Sequence, residues 1–431
     1  MNVLLHHATP EGCHIGAVSS EDCQDLCYME WSVRVGRSQE VGDRENWEMA
    51  HLLEHVLGSL TSRKYESEEK LNQEMDQRAI YSNASVTDHL TTYWLKGPRS
   101  LASRMLDILL CAWMEFQLEG NEKINKEIKA VINELTRDED DEWCVMTDKL
   151  RSSSFNLVPV KLRKQRLVED SPLKIAECMW NFKRRWYRPE FSSLLLIGRD
   201  MKCLWQHSVD RLTTWSSSFP KPKPIRVTET KGNPGDTIYR IRVANVQHVK
   251  ILYCIQGSLV ALTDPLRHAF KALAMALGSG FSSRLMKRLR SQLAIVYDVS
   301  AECEFHPYRA DQSVMIIETL LQEKDIPVVF STISHALEEL AHGGLRQDEI
   351  ERWQNRQKSI IAHQSVVKGD LDMLSRRWGK WIHWGCYPDD HVPVTRDSVN
   401  IACKRLLGPT HRINVLIGGN FPPLFARPDA S

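Results

Sequence analysis

The chain has 431 residues, 42% of them hydrophobic and 26% charged, with Lys+Arg 56 against Asp+Glu 55. That length exceeds one ordinary core, so two or more domains are expected, and the charge balance excludes a partner chosen by net charge, so no nucleic acid is expected. Eleven scattered cysteines without a Cys-x-x-Cys pair exclude a disulfide framework and a thiolate zinc site, and they fit a reducing compartment.

The N-terminal stretch has no Lys or Arg before Arg34 and carries Glu11, Glu21, Asp22 and Asp25. This is unlike a secretory or transit peptide. No apolar run approaches the roughly 20 residues that span a bilayer, so a cytoplasmic protein with no membrane partner is expected. Alternation and helical periodicity then predict a strand at 28–35, helices at 45–59 and 66–78, and strands at 79–86 and 89–96. Helices at 100–117, 121–137 and 172–186 and a strand at 194–197 follow. Ser216-Ser217-Ser218-Phe219-Pro220-Lys221-Pro222-Lys223-Pro224, with Lys231-Gly232-Asn233-Pro234-Gly235 beyond it, reads as an extended linker. The domains expected are therefore 1–215, a linker at 216–235, and 236–431. In the last, strand pairs near 238–257 and 294–319 bracket a helix, and helices dominate after Glu323. Strands and helices come in blocks, which predicts an α+β fold of two related domains, each an antiparallel-rich sheet packed against helices.

A midpoint linker invites a search for a repeat. "RPEFSSLLLIG" ends the first half and "GPTHRINVLIGG" ends the second, with Pro189 and Gly198 lying 220 residues before Pro409 and Gly418. The same offset lays His51-Leu-Leu-Glu-His-Val-Leu-Gly58 on Lys271-Ala-Leu-Ala-Met-Ala-Leu-Gly278. The apolar frame repeats, while His51, Glu54 and His55 become Lys271, Ala274 and Met275.

Those three polar residues carry the chemistry. Residues four apart share a helix face, so His51 and His55 reach one ion at about 2 Å. Glu54 borders the same face. Two imidazoles hold zinc weakly, so a third ligand is needed, and "KEIKAVINEL" supplies Glu127 and Glu134, two turns apart on one helix face. One carboxylate can bind metal while the other supports a ligand from outside.

His-x-x-Glu-His is the inverted zincin pattern. Together with "EIKAVINE", which puts Glu134 79 residues after His55, it resembles the insulinase/pitrilysin family of zinc metallopeptidases, in its two-domain, processing-peptidase-like branch. The resemblance implies one Zn2+ per chain held by His51, His55 and Glu134, with Glu54 as general base and Glu127 supporting from outside. Asn83-Ala84, in "YSNASVTDHLTTYW", is similar to a strand element beside the cleft that takes substrate as an added strand. "GSGFSSRLMKRLRSQLAIVYDVS" is similar to a segment whose Arg and Tyr, here Arg290 and Tyr297, reach toward substrate and transition state. Departures are the Ile before Tyr81 and the run from Gln292 to Val296, which bear on subsite preference.

The reading is a zinc metalloendopeptidase that cleaves peptides or unfolded segments, such as a precursor or leader peptide, inside a chamber formed by two chains. The partner would be an identical chain or a related family subunit. A second reading is a non-catalytic family member acting as scaffold or binding subunit for an active partner. A third is a metal-dependent hydrolase of a non-peptide bond.

Overall fold

Eleven strands, counted among the described residues, form two sheets. The computed structural model describes residues 3–65, 67–115, 121–216, 236–243, 246–366, 369–386, 393–409 and 411–421; the expected linker at 216–235 lies outside them except for Ser216. The described residues divide into two units. Met1–Glu139, Leu157–Thr228 and Ala362–Pro388 form the first, and Asp140–Asn156, Glu229–Ile361 and Asp389–Ser431 the second. Each unit thus incorporates a segment from the opposite half of the sequence, an exchange that division into 1–215 and 236–431 does not contain.

In the first unit the strands are β1 (Val3–Ala8), β2 (His14–Ser19), β3 (Leu26–Val33), β4 (Tyr81–Val86), β5 (Thr91–Pro98) and β6 (Ser192–Gly198), in the order β1-β2-β6-β3-β5-β4. All neighbours are antiparallel except β2 and β6. Every residue of β6 is buried because helices cover both faces of the sheet. Leu194 and Leu196 join the core around the Met49–Gly58 and Ala102–Met114 helices, whereas Leu195 and Ile197 pack with Trp378, Trp381 and Ile382 of the Leu371–Trp384 helix. Successive side chains point to opposite faces of a strand, so an unbroken apolar run is what a strand covered on both sides requires. The first two strands, β1 and β2, and the Glu142–Phe155 and Val160–Glu169 helices are additions to the elements expected from sequence.

The second unit contains β7 (Thr237–Arg242), β8 (Val249–Gln256), β9 (Val299–Glu304), β10 (Val314–Leu321) and β11 (Arg412–Gly419), in the order β7-β11-β8-β10-β9, with β7 and β11 parallel. This repeats β2-β6-β3-β5-β4, including the single parallel pair, so the internal repeat is one of topology as well as sequence. The Arg267–Gly278 helix packs on β9 as the Met49–Gly58 helix packs on β4. Its positions matching Glu54 and His55 are the buried apolar residues Ala274 and Met275. At its end the approach to β9 is close: a Cβ on Gly278 would lie 2.6 Å from the backbone nitrogen of Ala301.

All eleven cysteines are free, and all but Cys144, Cys203 and Cys303 are buried. Among the described residues no helix is long and apolar enough to cross a membrane.

Candidate metal centre

The helix expected at 45–59 is divided. A short 3-10 turn, Arg44–Asn46, is followed by an α-helix, Met49–Gly58, and between them Glu48 takes a left-handed conformation with φ 65°. The helix buries Met49, Ala50, Leu52, Leu53, Val56 and Leu57, an apolar face at helical spacing that leaves His51, Glu54 and His55 half-buried on the other side. Across from it, the Asn121–Asp140 helix buries Ile124, Ile128, Val131 and Leu135. Glu127 and Glu134 flank this stripe. Lys123 ties the two elements together, its Nζ donating to Ser59 Oγ at 2.7 Å and Thr61 Oγ1 at 3.1 Å.

His51, His55 and Glu134 converge. Among the described residues they are the group that could hold a metal ion. The Nε2 atoms of the two imidazoles are 3.2 Å apart, and Glu134 Oε2 is 3.3 Å from the first and 3.6 Å from the second. A tetrahedral ion with bonds of about 2.0–2.1 Å separates its ligand atoms by about 3.3–3.4 Å, so the triangle has the dimensions zinc needs. The other ring nitrogens are engaged: His51 Nδ1 lies 2.6 Å from Glu48 Oε1 and His55 Nδ1 lies 3.2 Å from Glu127 Oε2. An ionised carboxylate can only accept, so each imidazole spends its proton on that side. Both Nε2 lone pairs then face the common point.

The electrostatics favour a cation there. Burial disfavours a charged His51, but the bond to Glu48 and the charges of Glu48, Glu54 and Glu134 outweigh it and raise its pKa. Glu54 Oε2 is 3.8 Å from His55 Nε2, beside the triangle without belonging to it. Burial, reinforced by Glu134 and Glu127 and opposed by His55 and His51, raises the Glu54 carboxyl above its ordinary value. A carboxylate beside a metal-bound water with a raised pKa is suited to take and return a proton.

Glu48 and Arg163 were not among the residues expected from sequence. Glu48 is fully buried, and Arg163, on the Val160–Glu169 helix, pairs with its second carboxylate oxygen. The spacing of Glu48 three before His51 was the one signal that could have singled it out; Arg163 had none. Nearby, burial and the charge of Glu48 raise the pKa of the buried Glu40, which accepts from the Ala50 backbone.

Asn83 and Ala84 lie on β4, which among the described residues is the edge strand of the first sheet and pairs with β5. Asn83 Oδ1 accepts from the Ala84 nitrogen at 2.9 Å, and a Cβ on Gly58 would lie 3.5 Å from the Ala84 Cβ, so the open edge runs beside the motif helix. Arg290 and Tyr297 lie in the second unit. A π-helical segment, Met286–Gln292, carries Arg290, whose guanidinium is 4.9 Å from the Phe281 ring centre and 4.6 Å from that of Tyr297. Phe281 and Tyr297 are 70% and 81% exposed.

Two family models match most of the chain between them. A family model described as insulinase, peptidase family M16, matches residues 17–163, and one described as peptidase M16 inactive domain matches 175–357. The chain is 23% identical, over 383 residues, to an uncharacterized zinc protease of Streptomyces coelicolor, covering 85% of this chain and 80% of that protein. Among solved structures it is similar to a protease from Helicobacter pylori, with TM-score 0.82, 14% identity and coverage of 96% of this chain and 99% of that one. A peptidase M16 inactive domain from Pseudomonas fluorescens is also similar, with TM-score 0.74, 13% identity and coverage of 97% and 98%.

Proposed function

The chain belongs to the insulinase family, peptidase family M16, and from that premise we propose that it is a zinc-dependent endopeptidase acting on peptides or unfolded segments. The observation that carries the reading is the triangle of His51 Nε2, His55 Nε2 and Glu134 Oε2 with the Glu54 carboxyl beside it. Three protein donors leave a fourth position for water or substrate, as catalytic zinc sites do. Zinc bound there would polarise the scissile carbonyl and acidify water. Glu54 takes a proton from the attacking water and returns it to the departing amine.

Substrate adds as a strand along the open edge of β4, with Asn83 and Ala84 on that edge, so recognition uses backbone hydrogen bonds and suits extended or unfolded chains. Arg290 and Tyr297 supply a guanidinium and a phenol to the developing oxyanion. Two chains, identical or related, enclose the reaction in a chamber, and the substrate is a precursor or leader peptide in the cytoplasm.

A second reading, a scaffold or binding subunit for an active partner, is favoured by one observation: the match over 175–357 is to an inactive domain. The second unit has Lys271, Ala274 and Met275 where the first has His51, Glu54 and His55, which explains that match without removing the centre in the first. The test is zinc content and cleavage of a mixed peptide library, read by mass spectrometry, for the wild type and Glu54→Gln. The expectation is equal zinc and a loss of ~10²–10⁴ in rate for the variant. A zinc-loaded wild type that generates no more new amide termini than Glu54→Gln would overturn the peptidase reading.

A further inference from the structure

Both imidazoles of the centre are backed by a carboxylate, but unequally. Glu127 is 3.2 Å from His55 and its side chain is 15% exposed; Glu48 is 2.6 Å from His51 and is fully buried. Glu48 is itself gripped by Arg163, whose side chain is 3% exposed and whose Nε donates to the Val158 carbonyl at 3.0 Å. It also sits at φ 65°, ψ 10°, directly before the helix, a left-handed conformation that glycine adopts freely and a residue with a side chain adopts at a cost. A buried ion pair and a strained backbone at one position are two unfavourable features with a common result. They place a carboxylate against the far nitrogen of one metal-site histidine.

We propose that Glu48, held by Arg163, is a positioning residue for the zinc centre: it locks His51 as the Nδ1–H tautomer, so that Nε2 faces Glu134 and His55 with its lone pair. The fixed oxygen of Glu48 limits rotation of the ring. The strain is retained because glycine, the residue this backbone prefers, has no group to hold the imidazole. His51 is then the rigid corner of the triangle, and His55, on the longer and partly exposed contact with Glu127, is the adaptable one. This rests on the zinc reading in taking His51 as a ligand.

The test uses the metal-free full chain, titrated with zinc against a chromophoric chelator. The proteins are the wild type, Glu48→Gln, Glu127→Gln and the double variant Glu48→Gly with Arg163→Met, which removes the guanidinium that would otherwise be stranded. Urea midpoints of the metal-free forms report folding, and ring nitrogen NMR of zinc-loaded protein reports the His51 tautomer. Glu48→Gln and the double variant are expected to bind zinc ~10–100-fold more weakly, with a larger loss than Glu127→Gln and with the His51 Nδ1–H signal shifted. The double variant is expected to keep the wild-type urea midpoint, and it carries the test if Glu48→Gln does not fold. Folded Glu48 variants that bind zinc within about twofold of wild type, with an unchanged His51 signal, overturn the proposal and leave the zinc reading standing. A wild type that binds no zinc overturns both.

Discussion

Replacing His383 with Phe should destabilise the first unit in a pH-dependent way. His383, on the Leu371–Trp384 helix, places Nε2 2.8 Å from Glu30 Oε1 and Nδ1 2.8 Å from Ser193 Oγ. Glu30 also accepts from the hydroxyls of Ser32 and Tyr28, and all five residues are buried between that helix and the sheet. Burial favours the neutral acid, but the bonds from His383, Tyr28 and Ser32 and the charge of His383 outweigh it and lower the pKa of Glu30 from its ordinary 4.5. A carboxyl depressed in the folded state stabilises the fold above its unfolded pKa, and that contribution disappears as pH falls through the folded one. Phenylalanine keeps the ring and removes both nitrogens. Glu30 then either stays charged against an apolar ring, at about 3–5 kcal/mol, or takes a proton. Protonation costs about 1.4 kcal/mol for each pH unit above the unfolded pKa, hence roughly 3.4 kcal/mol at pH 7 and roughly 0.7 at pH 5. Ser193 loses its hydrogen-bond partner at both values, adding about 1 kcal/mol. The loss relative to wild type is therefore about 4 kcal/mol at pH 7, falling by about 2.7 kcal/mol at pH 5. Urea unfolding followed by tryptophan fluorescence measures it, since Trp94, Trp378 and Trp381 line the same core. An equal loss at both pH values, or less than about 1 kcal/mol at pH 7, would refute the account of Glu30 as a buried charge sustained by His383.

Arg290→Ala and Tyr297→Phe should each lower peptide cleavage by ~10²–10³ with zinc content and urea midpoint unchanged, because the Arg290 sandwich is made with the exposed rings of Phe281 and Tyr297; a shifted midpoint with unaltered turnover would make the sandwich structural. Gly278→Ala should destabilise the second unit by ~1–3 kcal/mol, since the new Cβ meets the Ala301 nitrogen at 2.6 Å and the Ser300 carbonyl carbon at 2.7 Å, backbone atoms that cannot rotate aside. Gly58→Ala is the control, its added carbon falling at an ordinary 3.5 Å from the Ala84 Cβ. Equal melting shifts for the two would contradict the close approach.

Much of this molecule is written locally. The i, i+4 spacing of His51 and His55, the seven-residue spacing of Glu127 and Glu134, and the apolar stripes at Leu52, Leu53 and Val56 or at Ile124, Ile128 and Val131 all follow from helical periodicity, which a few consecutive residues determine. The same holds for the repeat, because two related sequences that bury the same faces form the same strand order. Other features depend on residues far apart in the chain. The all-buried β6 reads as a covered strand from "SSLLLIG", but that its second face is covered by the Leu371–Trp384 helix, from the opposite half of the sequence, is a matter of packing. So are the His383–Glu30 contact and the placing of Glu142–Phe155 against β11 in the second unit. At the candidate metal centre the sequence by itself placed His51 and His55 on one helix face and Glu127 and Glu134 on another, by helix pitch, and the family resemblance singled out Glu134 and Glu54 among the carboxylates. Only the tertiary structure decided that Glu48 and Arg163 stand behind His51. Glu48 faces His51 because the chain turns left-handed just before the helix, and Arg163 meets Glu48 because a later helix docks there, and neither a turn of that hand nor a contact between distant segments has a periodic signature.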